Sequence, residues 1–260
     1  MDVRFALSGS GNDRDVKTFD RSLPSAALLI AYPIAGKSTE TVLPRISYRD
    51  WSLDSGAFSV ERSGARIDLQ GYIDDVKRWR DGPHPPCEVF ALDVIGDWRA
   101  SLRNTEEMWK HGIEAIPCFH VGEPESVLLG LARDYPKIAL GGAVGYRDKV
   151  EWARQCFARI WPKRIHGFGY GAPSGLRAVP WDSVDATSWF TNPTVGNRWH
   201  GYNRPGKGDA RRGDRLVVRH RKDSPHSYNY RVEIDYYLQL EREMNFLWRR
   251  EMETLASLPR

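Results

Sequence analysis

Eight short apolar runs recur along the first three quarters of the chain, ending in or near Gly, Asp or Ser, with stretches of helical pattern between them. They are VRFALSG from Val3, AALLIAYP from Ala26, ISYRDWSLDSG from Ile46, EVFALDVIGD from Glu88, EAIPCFHVG from Glu114, KIALGGAVG from Lys137, RIHGFGYG from Arg164 and SVDATSWF from Ser183. Several are apolar at nearly every position, and they alternate with Leu69–Trp79, Asn104–His111, Pro124–Asp134 and Lys149–Trp161. A strand that is apolar on both faces must be covered on both, so this alternation predicts parallel strands joined by helical crossovers. Eight such units favour a closed barrel over an open doubly wound sheet. The 260 residues match the ~250 typical of one (β/α)8 barrel, so the expected class is α/β, a single TIM-type barrel domain spanning 1–260.

After Phe190 the texture changes. TNPTVGNRWHGYNRPGKGDARRGDR has no clear period and reads as a long loop, so a basic insertion is expected over about 191–230. From Ile234 to Leu255 the apolar residues Tyr237, Leu240, Met244, Leu247, Trp248, Met252 and Leu255 form a stripe, predicting one helix that closes the barrel. The net charge of +4 is unevenly distributed: Arg198 to Lys222 holds nine Lys or Arg and two Asp, leaving the rest of the chain slightly acidic. A basic patch on a near-neutral body suggests a polyanion partner. Cys87, Cys118 and Cys156 are too far apart for a Cys-x-x-Cys knuckle and form no disulfide framework, so buried or partly buried thiols are expected. No apolar run approaches ~20 residues and the N-terminus has no secretory pattern, so a cytoplasmic protein without a membrane segment is expected.

In a barrel of this kind the reactive residues belong at the strand C-termini. Asp54, Asp93, His120, Gly141, Gly142 and Asp185 each stand at or just beyond the end of an apolar run. LDSGAFS, Leu53 to Ser59, couples an Asp to a Ser-Gly-Ala that lets backbone approach a ligand closely. Each has a plainer reading too. Asp-Ser-Gly also makes an ordinary turn, Asp93 could cap the helix near Trp98 although Asp97 is better placed, the glycine pair could be a tight junction, and His120 could be a satisfied polar group. Asp68, Asp74 and Asp75 look like a solvated helix face.

Taken in order, LDSGAFS, ALDVIGD, LGGAVGY and SVDATSW resemble the tRNA-guanine transglycosylase family and its DNA-acting relatives, the DpdA-type 7-deazaguanine DNA transglycosylases, over roughly Ile46 to Thr194. The resemblance implies an acid/base role for Asp54, guanine recognition by Asp93, a nucleophilic role for Asp185, and a base pocket lined by Ser55, Gly56, Phe58, His120, Gly141 and Gly142. Two departures stand out. The family's nucleophile motif carries a second Asp where this chain has Ser188, so Asp185 is assigned the role, with Asp182 as the neighbouring alternative. The tRNA enzymes' Cys-x-Cys-x-x-Cys…His zinc site is absent, so no metal and no other cofactor is expected.

The chemistry calls for carboxylates. Replacing a base at C1′ passes through an oxocarbenium-like transition state, and retaining the anomeric configuration takes two displacements, one carboxylate attacking while another moves protons. In the basic segment Arg198, Arg204, Lys207, Arg211 and Arg212 suit phosphates, and Trp199 and Tyr202 suit stacking on bases or filling the gap that an extruded base leaves. The same charges could equally be a solvated surface. The leading expectation is exchange of guanine in DNA for a free 7-deazaguanine base, in its 7-cyano or 7-aminomethyl form, an activity that would suit a bacteriophage. Three rivals remain: the same exchange on tRNA, hydrolysis to an abasic sugar, and a non-catalytic barrel that binds modified DNA.

Overall fold

The computed structural model describes residues 1–7, 12–19, 23–57, 60, 64, 66–143, 145–187, 189, 199–200, 218–219 and 226–258. The eight expected strands form as β1 (Asp2–Ala6), β2 (Ala27–Ala31), β3 (Asp50–Asp54), β4 (Glu88–Val89), β5 (Cys118–His120), β6 (Lys137–Gly141), β7 (Arg164–Gly167) and β8 (Ser183–Ala186). They pair in parallel in the order β4-β3-β2-β1-β8-β7-β6-β5. A parallel bridge between Phe90 and Ile116 joins the two ends of that order. It is held by Ala91 N–H donating to the Ile116 carbonyl at 2.9 Å and Ile116 N–H donating to the Val89 carbonyl at 2.8 Å. The result is an α/β TIM-type ring with no free edge between β4 and β5.

Helices follow the strands as α1 (Asn12–Thr18), α2 (Tyr32–Thr41), α3 (Leu69–Arg80), α4 (Trp98–Lys110), α5 (Glu125–Asp134), α6 (Lys149–Ile160), α7 (Pro173–Leu176), α8 (His226–Leu247) and α9 (Arg249–Ala256). Their caps are local. Asp68 accepts from Gly71 N–H at the start of α3, and Asp97 accepts from Ala100 N–H at the start of α4. Asp68 and Asp74 are exposed as expected, Asp68 serving also as the cap. Asp75 departs from that expectation: it is half-buried and accepts a 2.8 Å bond from the Tyr32 hydroxyl.

The pleat sorts the strand residues. Val3, Phe5, Leu28, Ile30, Trp51, Leu53, Ile138, Leu140, Ile165 and Val184 share one core with helical residues such as Tyr72, Val76, Met108, Leu131 and Tyr237. Leu29, Phe90, Ile116, Cys118 and Ala139 form a second, smaller cluster inside the ring. Because neighbours along a strand face opposite ways, residues two positions from these last also turn inward. At the N-terminal pole those residues are charged. Arg4 pairs with Asp50 at 2.6 Å and Glu88 at 3.2 Å, Lys137 with Glu88 at 2.6 Å and Asp182 at 2.7 Å, and Arg164 with Asp182 at 3.0 Å. Lys137 also donates to Ser183 Oγ, which bonds His166 Nδ1 at 2.8 Å. This ionic floor stops the barrel at one end.

The C-terminal stripe folds differently from one expected helix over 234–255. It begins earlier, at His226, and breaks at Trp248, whose φ of −101° and ψ of 28° leave helical geometry. Tyr237 of α8 meets Phe5 edge-on with centroids 6.2 Å apart, and Glu241 accepts from Val3 N–H at 2.7 Å, so the helix seals the outside of β1. The basic insertion expected over 191–230 accordingly gives up 226–230 to α8. Within it β9 (Trp199–His200) and β10 (Val218–Arg219) pair antiparallel, each too short for a period to show in sequence.

Removing one partner of a buried ion pair leaves the others uncompensated. Lys137→Met is expected to lower stability by about 3–5 kcal/mol in urea unfolding. Adding Glu88→Gln to it should recover part of that loss.

Candidate active site

At the opposite pole the strand C-termini bring together residues that are far apart in sequence. Asp54 ends β3, and its carboxylate accepts from the backbone N–H groups of Ser55 and Gly56. Gly56 has φ +70°, and a Cβ there would lie 2.7 Å from Pro33 Cδ, so the turn that aims these N–H groups requires glycine. Ser55 is buried, and its hydroxyl accepts from Ala57 N–H at 3.4 Å.

Asp185 lies on β8, only 7% exposed, and accepts a short hydrogen bond from Gly169 N–H. The Lys149 ammonium donates to the Gly169 carbonyl at 2.8 Å, tying the first turn of α6 to the turn that serves Asp185. The alternative, Asp182, sits at the other pole. It is held by Lys137 and Arg164, and despite its burial these cations keep its pKa well below the usual carboxylate range. Of the two, Asp185 alone belongs to the mouth.

Asp93 follows β4. Its Oδ2 lies 3.3 Å from His120 Nε2, while its Oδ1 is buried with no hydrogen-bond partner among the described residues. His120 ends β5, and Glu123 grips it twice, its Oε1 3.1 Å from Nδ1 and its Oε2 accepting from the His120 backbone N–H at 3.1 Å. Across the ladder from His120 is Gly141, where a Cβ would lie 2.6 Å from Cys118 Sγ and 3.2 Å from the His120 ring. Gly142 has φ +68°. The Asp93, Cys118 and His120 donor atoms all lie within 4.8 Å of one another. A cleft of about 570 Å³ runs from Asp93 past Leu92 and Asn104 to Ala57, Ile67 and Leu69.

Burial raises the carboxyl pKa values here, because the charged form loses its hydration. Asp54 is pushed up to about 7, burial acting first and the charges of Asp185 and Asp93 adding to it, against the Gly56 and Ser55 N–H groups. Asp185 is pushed up to about 6 by burial, opposed by Gly169 N–H and the Lys149 charge. Asp93 is raised by burial and held back by His120. The Cys118 sulfur and the carboxylates of Asp93 and Glu123 hold the His120 imidazolium well above its ordinary range, outweighing burial.

The mouth thus unites Asp54, Ser55, Gly56, Asp93, His120, Gly141, Gly142 and Asp185. Phe58, Arg198, Tyr202, Arg204, Lys207, Arg211 and Arg212 lie outside the described residues, and Trp199 is described only as part of β9. Glu123, Lys149 and Gly169 are the residues that sequence reasoning missed. Glu123, three residues after His120 in a Val-Gly turn, could have been suspected as a local partner. Lys149 and Gly169 carry no such signal, since the fold alone brings them to Asp185.

No family model matches the sequence, and no curated protein matches it. Among solved structures, the chain is similar to tryptophan synthase subunit alpha from Campylobacter jejuni, at 12% identity and a TM-score of 0.43, over 75% of this chain and 89% of that one.

The raised Asp54 pKa sets a pH-dependent stability. In the folded chain Asp54 keeps its proton up to about pH 7, whereas in the unfolded chain it loses it near its ordinary value of 3.8. Its stabilising contribution is therefore full below that value and lost as pH rises through about 7. Asp54→Asn should be nearly neutral at about pH 4 and stabilising by on the order of 4 kcal/mol above about pH 7 in thermal or urea unfolding.

Proposed function

We propose that this chain is a base-exchange enzyme, a DNA-guanine transglycosylase that replaces guanine in DNA with a free 7-deazaguanine base. The observation that carries the reading is the pair Asp54 and Asp185 at one barrel mouth, the first half-buried and the second buried, electrostatically coupled, and raised to about 7 and about 6. Two carboxyls separated in this way divide the work: near neutral pH the lower one is ionised and can attack, while the higher one still holds a proton to give.

In the first displacement an Asp185 carboxylate oxygen bonds to C1′ as the C1′–N9 bond of guanine breaks. Asp54 gives its proton to the departing base. In the second, Asp54 takes the proton from N9 of the incoming base, that nitrogen bonds to C1′, and the ester to Asp185 breaks. Configuration is retained because C1′ is inverted twice. Asp93 supports recognition of the base: it lines the cleft, and its buried Oδ1 offers an acceptor to the guanine N1–H and amino groups. Gly141 and Gly142 leave room for the Cys118 and His120 side chains beside Asp93, and Lys149, through Gly169, orients Asp185 and favours its ionised form. The basic segment, with Arg198, Arg204, Lys207, Arg211, Arg212, Trp199 and Tyr202, would hold the DNA backbone and fill the gap left by the extruded nucleotide.

The test is incorporation of isotope-labelled guanine and 7-cyano-7-deazaguanine into duplex DNA and, separately, into tRNA. Label is expected in DNA with wild type, none with Asp185→Asn, and a rate about 10²–10⁴-fold lower with Asp54→Asn. The wild-type pH profile should rise through about 6 as the pair first ionises and fall above about 7 as Asp54 loses its proton. Label in tRNA alone would move the substrate to RNA. Abasic sugars without label would make the enzyme a hydrolase, and wild-type rates in Asp185→Asn would remove the proposed nucleophile.

A further inference from the structure

Cys118 and His120 stand two residues apart on β5, so their side chains share the inward face of the ring. Asp93, arriving from the end of the neighbouring strand, meets them there. The donor atoms of all three lie within 4.8 Å of one another, and His120 Nε2 is 3.3 Å from Asp93 Oδ2. Adjacent ligands on a tetrahedral zinc ion, bonded at ~2.0–2.3 Å, are roughly 3.3–3.6 Å apart, so the Asp93–His120 pair is already at that spacing and the Cys118 sulfur, within 4.8 Å of both, has only a short way to close. Further details point the same way. Glu123 occupies the Nδ1 side of His120, the arrangement in which a carboxylate fixes the ring so that Nε2 faces a metal. Gly141 keeps the space beside Cys118 Sγ and His120 Nε2 open, where any Cβ would intrude to 2.6 Å and 3.3 Å.

We propose that Asp93, Cys118 and His120 form a mononuclear site for a divalent metal ion, with one carboxylate oxygen, one thiolate, one imidazole nitrogen and a fourth position left for water or substrate. Sulfur and imidazole donors select zinc over magnesium or calcium. Binding releases the Cys118 thiol proton and any proton on Nε2, and the cation then occupies the position between His120 and Asp93. The inference stands apart from base exchange, in which Cys118 has no part. The two share Asp93, whose Oδ2 would face the metal while Oδ1 stays available to a base.

The full chain is purified without chelator from zinc-supplemented cells, and its metal content is measured in the absence of nucleic acid or base. The stripped protein is then titrated with cobalt and followed by absorbance. Wild type is expected to carry one zinc per chain and to give, with cobalt, a thiolate-to-metal charge-transfer band and tetrahedral visible bands. Cys118→Ser should lose the charge-transfer band and Cys156→Ser should keep it. Glu123→Gln, which leaves all three ligands in place, should bind about 10–100-fold more weakly. Folded wild type that holds no zinc and gives no charge-transfer band, or a band that survives Cys118→Ser, overturns the site. Because no DNA or base is present, that result would leave the base-exchange reading standing, and a failed exchange assay would leave the metal site standing.

Discussion

Successive residues of a β-strand point to opposite faces, and in a ring of eight strands that rule sends every second side chain toward the axis. Everything distinctive about this molecule follows from what those inward positions carry. The outward set, from Val3 and Phe5 to Val184, is apolar and packs under the helices. The inward set is apolar only at mid-height, around Leu29, Phe90, Cys118 and Ala139. Below that are Arg4, Glu88 and Lys137; above it are Asp54, His120 and Asp185. The two poles differ in how charge is matched. At the floor, carboxylates meet cations at 2.6 to 3.2 Å and stay ionised. At the mouth Asp54 has only backbone N–H groups, and Asp185 the Gly169 N–H and a more distant lysine, so burial dominates and raises Asp185 to about 6 and Asp54 to about 7.

Asp182 and Asp185 make the contrast at the two ends of one strand. Three positions separate them, and side-chain type is identical. One lies just before β8 among Lys137 and Arg164 and is strongly acidic; the other lies near the strand's far end and titrates near 6. Height along the barrel, not residue type, decides which can serve as a structural ion pair and which can take part in chemistry.

The same rule explains what could be read from the chain itself. Apolar runs ending in small or acidic residues announced the strands, and a residue at the end of a run is at the mouth by construction, which is how Asp54, His120, Gly141 and Asp185 could be named. The floor escaped notice because Arg4, Glu88 and Lys137 look like isolated polar interruptions until the ring brings them together. Lys149 and Gly169 were equally hidden, their link to Asp185 being made by the β6 and β7 crossovers. Trp248 continues the apolar stripe in sequence while breaking the helix in backbone geometry, a difference that side-chain periodicity does not record.

The account turns on Asp185 becoming covalently attached to the sugar. Guanine-containing duplex DNA mixed with the protein, quenched in denaturant within one turnover and analysed by intact mass and peptide mapping, reads this directly. The account predicts a protein–DNA adduct whose bond maps to Asp185. An adduct mapped to Asp54, or product formed in a single turnover with no adduct at any quench time, would contradict it.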